Sequence, residues 1–292
     1  MDPTRRLPPG LVEHARAFAS GAQQPVEPRH ASTVVLLRDG DGSPGSLQVY
    51  LLRRHVDMAF AAGMCVFPGG GVDPRDFDEA VAWAGPSAEE WAELMDVPAE
   101  LARALVCAAV RETFEESGVL LAGPSEHALV EDTTGEDWEK DRVGLESREI
   151  AFTEFLTRRG LVLRSDLLRL WGSWVTPVFE PRRFHARFFV AQMPAGQVTR
   201  DVSTESDRVA WLSLRRAVAG VEGGQMMMLP PTYCTCLELF DHPNAEDALS
   251  AAASRPQDAI RPEAVLDEDG AYLSIPEELA ALGRRISARI RA

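Results

Sequence analysis

The stretch of this chain that can do chemistry is Arg111-Glu112-Thr113-Phe114-Glu115-Glu116-Ser117-Gly118-Val119. On a helix, Glu112, Glu115 and Glu116 are related by i, i+3 and i+4, so three carboxylates share one face. Such a set repels itself, and two readings stand side by side. One is a solvated acidic face of an ordinary helix. The other is a set of hard oxygen ligands of the kind that Mg²⁺ or Mn²⁺ prefers. Two neighbouring features favour the second. Ala102, Val106, Ala109, Val110, Thr113 and Phe114 form an apolar stripe that can pack while the acids face elsewhere. Upstream, Gly63 to Gly71 ends in three consecutive glycines after Pro68, where a backbone can approach a ligand closely. Cleaving a diphosphate requires its oxygens to be neutralised, a water to be deprotonated and N–H groups to approach phosphate. Carboxylates beside a glycine loop can supply all three.

Taken with Phe67-Pro68-Gly69-Gly70-Gly71-Val72-Asp73, this stretch resembles the Nudix box, G-x5-E-x7-R-E-U-x-E-E-x-G-U with U aliphatic. The second half is intact apart from Thr113 at the first U. In the first half, counted from Gly70, Asp76 stands where the family has Glu. Between Asp76 and Arg111 lie 35 steps instead of the usual 8, so 27 residues are inserted inside the box. The resemblance implies an α/β Nudix fold, a mixed β-sheet sandwiched between α-helices, and Mg²⁺- or Mn²⁺-dependent hydrolysis of a nucleoside diphosphate linked to X. By the same resemblance, Glu115 and Glu116 are the principal metal ligands, with the carbonyl of Gly69 as a third. Glu112 corresponds to the metal-site or general-base glutamate, Arg111 to the arginine that orients the acids, and Gly70 to a backbone position beside the substrate. Many members add an acid from a distant loop. Glu205 is the candidate here, with Asp207 its rival, and an ordinary exposed loop acid is the alternative for both.

Features outside the box resemble the Nudix branch that contains the peroxisomal coenzyme A diphosphatase of mammals. They are Leu51-Leu52-Arg53-Arg54, Trp171-Gly172-Ser173-Trp174-Val175-Thr176-Pro177, Arg182-Arg183-Phe184 and Leu229-Pro230-Pro231-Thr232. This likeness spans about residues 31 to 240 and implies cleavage of CoA or acyl-CoA to 3′,5′-ADP and (acyl-)phosphopantetheine. The CoA signature of other Nudix enzymes is only half present: its Thr-x-Arg-Ser element and second arginine are missing. Arg54 and Arg183, with Arg53, Arg182 and Arg187, are the local positive charge that an adenosine 3′-phosphate requires, or else strand-end arginines paired with the many acids. Trp171, Trp174 and Trp211 are core residues or adenine-stacking rings. Two competitors remain open: the same chemistry on ADP-ribose, NADH or a nucleotide sugar, and a nucleotide-binding regulatory protein that has lost turnover.

The elements that must position these residues can be read from periodicity. Residues 1–30, with five prolines, form an N-terminal arm with a short helix. Residues 31–240 form the catalytic domain, opening with a hairpin whose strands, Ser32–Arg38 and Leu47–Leu52, flank Asp39-Gly40-Asp41-Gly42. Residues 77–100 are an insertion with a short helix near Ala88–Leu94. A helix runs from Glu100 to Ser117, stopped by Gly118. Residues 124–147 are a polar loop with a short helix, and 149–159 are helical. Strands are expected at Trp171–Pro177, Phe184–Val190 and Val209–Leu212, and helices at Leu214–Ala219 and Thr232–Phe240. Residues 241–292 form a C-terminal appendage with a turn at Asp267–Gly270. There Ser274-Ile275-Pro276-Glu277 is expected as a capping box for a helix bearing Leu279, Leu282, Ile286 and Ile290.

Composition limits the setting. The chain has 292 residues, 45% hydrophobic and 26% charged, so it can bury a large core. Thirty Lys and Arg against 45 Asp and Glu give a formal net charge of −15. That field disfavours nucleic acid and anionic membrane as partners, and leaves a small-molecule nucleotide held locally or through a metal. Four cysteines are too few for a disulfide framework, and Cys234-x-Cys236 lacks the spacing of a zinc site. With no apolar run long enough to span a bilayer and no leader, a cytoplasmic location is expected.

Overall fold

The apolar run at Ser32–Leu37 becomes the centre of a mixed sheet with helices on both faces. The computed structural model describes residues 6–21, 23–55, 63–204 and 206–291. In chain order its elements begin with α1 (Pro9–Ala19), β1 (Arg29–Arg38), β2 (Gln48–Arg54), β3 (Cys65–Val66), β4 (Gly69–Gly71), β5 (Trp83–Ala84), α2 (Ala88–Met95) and α3 (Ala99–Ser117). Then come β6 (Ala122–Gly123), α4 (Glu136–Glu146), α5 (Phe152–Arg159), β7 (Val162–Arg164), β8 (Arg169–Val175), β9 (Phe184–Gln192) and β10 (Ser206–Ser213). The last are α6 (Leu214–Glu222), α7 (Pro230–Leu239), α8 (Ala245–Ala252), β11 (Ala264–Asp267), β12 (Gly270–Leu273) and α9 (Glu277–Arg291).

The main sheet runs β10-β2-β1-β9-β8, with β1 and β9 parallel and the other pairs antiparallel. One edge of β1 is shared. Leu37 and Arg38 pair with Val49 and Gln48 of β2 at the hairpin; the two strands then part, and β4 takes up the vacated edge at Ala31–Thr33. On the far side of that gap β3 pairs with β2 at Leu52 and Arg53. The loop carrying the glycines is thus wedged between two strands of one sheet. Glycine is required there: a Cβ on Gly69 would lie 2.4 Å from the Ser32 carbonyl oxygen.

Alternation along the strands builds two cores. Val34, Leu36, Leu52 and Phe189 face Leu105, Val106, Ala109 and Phe114 of α3, with Trp91 and Phe155 beside them. Val35, Leu37, Leu51 and Val190 face the other way, against Leu214, Val218, Leu237, Ala248 and Ile286. This is the layered α/β architecture expected from the resemblance. The 77–100 segment packs rather than protrudes: Trp91 and Met95 of α2 are buried against the first core, and β5 joins β7 and β6 in a small three-stranded sheet. Segment 241–292 likewise contributes, through α8 and α9, to the second core. The expected capping box at Ser274 does not form. The Ser274 hydroxyl accepts instead from the Glu263 N–H at 2.9 Å, and the helix starts beyond Pro276, because the β11–β12 ladder continues to this pair and claims the serine first. All four cysteines are buried and unbridged. Among the described residues, no helix is long and apolar enough to cross a membrane.

Candidate functional site

The site is built where α3 crosses under the glycine strand. Helix α3 is buried on nearly all sides and ends at Gly118, whose φ of 74° and N–H bond to the Phe114 carbonyl make a left-handed C-cap. Glu115 and Glu116 are therefore not on a solvated face; each is 8% exposed. Gly69 of β4 donates its N–H to Glu116 Oε2 at 2.8 Å. Gly70 sits directly on Glu112, so closely that a Cβ there would lie 2.4 Å from a carboxylate oxygen. The missing side chains of β4 are what let the backbone and the carboxylates occupy the same layer.

Arg111 organises the acids. Its Nε and Nη2 donate to Asp76 Oδ1 and Oδ2 at 3.0 and 2.9 Å, a two-pronged pair, and Nη2 also reaches the Gly71 carbonyl at 3.0 Å. Its Nη1 donates to Glu112 Oε1 at 2.6 Å and Glu115 Oε1 at 3.3 Å. Asp76 is presented by the short 3-10 turn Pro74–Phe77, where its Oδ2 also accepts the Asp73 N–H at 2.8 Å. Burial works against the Arg111 charge, but Glu112, Asp76 and Glu115 more than offset it and raise its pKa. Burial, and then the Glu112 charge, hold the Glu115 carboxyl above the ordinary carboxylate range despite Arg111. Three acids on one arginine leave the cluster short of positive charge.

A cavity of about 90 Å³ opens over this cluster, lined by Asp73, Arg111, Glu112, Glu115, Glu116 and Glu146 among others. Helix α4 forms its far wall. Arg142, 2% exposed, donates to the Glu115 carbonyl at 2.7 Å and to Glu146 Oε2 at 3.0 Å. Glu146 Oε1 in turn accepts from the N–H and hydroxyl of Thr204 at 2.9 and 2.7 Å, tying the loop before β10 to the cavity wall. Sequence reasoning missed Glu146; its only signal there is its place four residues after Arg142.

A family model described as the NUDT19 Nudix domain matches residues 82–239, more than half of the chain. The chain belongs to the NUDT19-type Nudix family. The acyl-coenzyme A diphosphatase NUDT19 of Xenopus laevis is 25% identical over 223 residues, which cover 64% of this chain and 58% of that protein. This chain therefore spans little more than half the length of that relative. The protein of the same name from Gallus gallus is 25% identical over 277 residues, covering 78% of this chain and 72% of that one. A crystal structure of a Nudix hydrolase from Alicyclobacillus acidocaldarius is 28% identical with a TM-score of 0.64, over 77% of this chain and 96% of its own.

Nudix hydrolases as a family use divalent metals, so the donor set has to be tested against one. Among the described residues, no three His, Cys, Asp or Glu side chains are arranged to hold an ion as they stand. Glu112 and Glu115 are turned to Arg111, and Glu116 to Gly69. The chemistry nonetheless fits: Glu112, Glu115 and Glu116 are hard oxygen donors facing one cavity, with a surplus of negative charge. The cavity has room for an ion and part of its hydration.

The remaining Nudix candidates are dispersed. Arg54 closes β2 opposite Ser206, away from the cavity lining. Arg183 is buried and donates to the carbonyls of Thr176 at 3.1 Å and Val26 at 2.6 Å, pinning the N-terminal arm to β9. Glu205 lies outside the described residues, as does the side chain of Asp207. Trp171 and Trp174 belong to the second core, and Trp211 packs on Tyr50 with its Nε1 donating to Thr199.

Proposed function

We propose that this protein hydrolyses the diphosphate of a nucleoside diphosphate linked to X with Mg²⁺ or Mn²⁺, and that its substrate is CoA or an acyl-CoA. The observation that carries the chemistry is the Asp76–Arg111 pair, which gathers Glu112 and Glu115 beneath the Gly69–Gly71 strand. The CoA assignment is supported by the two relatives named acyl-coenzyme A diphosphatase. Glu112, Glu115 and Glu116 would hold the metal, with the Gly69 carbonyl as a further donor. A bound divalent ion there supplies charge to neutralise the diphosphate oxygens and to acidify water.

The chain's own groups do the rest. The backbone of Gly69–Gly71 carries no side chain to keep a phosphate at a distance. Glu112, oriented by Arg111 through Oε1, takes the proton from the attacking water. The water oxygen bonds to one phosphorus and the P–O–P bridge breaks, releasing 3′,5′-ADP and (acyl-)phosphopantetheine. Arg111 stays protonated throughout and fixes the geometry. The four buried, unbridged cysteines are consistent with a reducing, cytoplasmic setting.

The test is a hydrolysis panel in Mg²⁺ and in Mn²⁺ over CoA, acetyl-CoA, dephospho-CoA, NADH, ADP-ribose and a nucleotide sugar, with products identified by mass. Formation of 3′,5′-ADP from CoA at the highest efficiency, abolished by Glu115→Gln, supports the proposal. Preference for another diphosphate removes the CoA assignment. A wild type that binds nucleotide without turnover removes the enzyme.

A further inference from the structure

A second group of polar residues lies on the same sheet face as the site, and nothing in the diphosphate chemistry uses it. Side chains alternate along a strand, so His30 and Ser32 of β1 share a face, as do His185 and Arg187 of β9. The register sets His30 beside His185 and Ser32 beside Arg187, and sets Ser173 of β8 on the other side of Arg187. The two imidazole rings are 6.0 Å apart, and His185 Nε2 lies 2.8 Å from the Ser173 hydroxyl. Ile260 pairs with Trp174, and the exposed Arg261 that follows it is near enough for its charge to act on both His185 and Arg187.

What marks this group is the sign of its charge. Arg187 is 3% exposed, yet its only hydrogen bond among the described residues is a long one, 3.4 Å, to the His185 carbonyl. No Asp or Glu among the described residues forms an ion pair with Arg187 or Arg261, in a chain with 45 acids. The Nδ1 of His30 is buried without a partner. Burial, then Arg187, push His185 down to about 4, and burial with Arg261 brings Arg187 down to about 10. Every other ionised buried arginine described above has carboxylates or backbone carbonyls for its donors. A buried guanidinium with one long hydrogen bond, no acid paired to it among the described residues and a second arginine nearby is a costly arrangement, and an anion relieves it.

We propose that Arg187, Arg261, His30, His185 and Ser173 form a subsite for a phosphate monoester dianion carried by the same substrate whose diphosphate lies at Glu112; this rests on the reading of that site as a diphosphatase. Two guanidinium charges match a dianion, and a carboxylate would balance only one. The two imidazoles and the serine add neutral donors suited to phosphate oxygens. Location agrees. Ser32 pairs with Gly70, the residue against Glu112, and His30 is two residues along the same strand, about 7 Å away at the usual rise. The Val72 N–H donates to the His30 carbonyl at 3.0 Å, so the glycine strand leads directly from one site to the other.

The experiment is a calorimetric titration of the full chain with adenosine 3′,5′-bisphosphate, 5′-AMP and inorganic phosphate. The bisphosphate is expected to bind about tenfold or more tighter than 5′-AMP, the worth of one charge-assisted contact. Arg261→Ala, at an exposed position, and Arg187→Gln are expected to shrink that advantage severalfold; should the buried substitution fail to fold, Arg261→Ala and His30→Ala carry the test. Equal affinity for the two nucleotides overturns the subsite. So does phosphate binding that Arg261→Ala abolishes without any advantage for the bisphosphate, which would make the group a free-anion site. Turnover of CoA itself is measured separately on the wild type: its absence counts against the diphosphatase reading and leaves the binding result to decide the subsite.

Discussion

Arg111 and Asp76, separated by the insertion that splits the box, meet in a two-pronged pair of 3.0 and 2.9 Å with both side chains buried. The aspartate side chain is shorter than glutamate by one methylene, and the 3-10 turn Pro74–Phe77 brings it near enough for the contact to form. The same arginine then reaches both Glu112 and Glu115, so the pair fixes the helix to the glycine strand and sets the acids at once.

Removing the acid from that pair should therefore cost both stability and activity. Asp76→Ala leaves a buried guanidinium with one counter-charge fewer and is expected to lower unfolding stability by about 3 kcal/mol or more. Guanidinium denaturation measures it. A loss below about 1 kcal/mol, the range of exposed pairs, would mean that the contact does not hold the helix.

The two glycines before the third should respond differently to alanine. At Gly70 the new Cβ meets the Glu112 carboxylate, the far end of a flexible side chain. Gly70→Ala is expected to keep the fold and reduce kcat/KM by tenfold or more, on the order of the cost of misplacing a catalytic group by about 1 Å. At Gly69 the Cβ meets the Ser32 carbonyl and Thr33 Cα, which are backbone of the central strand. Gly69→Ala is expected to destabilise by about 1–3 kcal/mol. Thermal melts beside steady-state rates separate the two, and identical profiles for both variants would contradict this division.

Metal should report on the carboxylates independently of turnover. Mg²⁺ or Mn²⁺ at about 100 times its dissociation constant is expected to stabilise the wild type by about 2.7 kcal/mol. Glu116→Gln should remove most of that gain. A chelator should abolish hydrolysis and restore the metal-free melting temperature. If Glu116→Gln melts with the same metal-dependent shift as the wild type, Glu116 is not a ligand.

The imidazole of His185 gives a pH dependence with a definite sign. It titrates near 6.5 when unfolded and at about 4 when folded. Between those values the unfolded chain holds the extra proton, so stability falls as the pH is lowered through that window and the contribution is complete above it. In phosphate-free buffer, wild type should lose more stability than His185→Gln between about pH 7 and about pH 4.5. Parallel losses would show that the fold does not keep this ring neutral.

Much of the fold follows from local pattern. The run Ser32–Leu37, the turn at Asp39–Gly42, the apolar stripe of α3 and its stop at Gly118 are periodicity and backbone chemistry, and those rules act over a few residues. The capping box at Ser274 was misread for the complementary reason: a pairing with Glu263, distant in sequence, competed for the same hydroxyl. The burial of α3 was hidden too. The helical spacing of Glu112, Glu115 and Glu116 by itself fits a solvated face as well as a ligand set, and their burial follows only once Gly69 and Gly70 are laid on them.

By itself, then, the sequence determined the longer strands of the main sheet and most of the helices, the family and the chemical type of the cluster, because residue identities and short spacings carry that information; the short strands, the glycine strand among them, and α8 came only from the fold. Only the tertiary structure decided which groups share a volume. It brought Asp76 across the insertion to Arg111, added Glu146 from α4, turned Arg183 to backbone carbonyls and set Arg187 near the like charge of Arg261. Those outcomes depend on strand register and helix crossing, which are set by packing over the whole sheet and have no signature in any one segment.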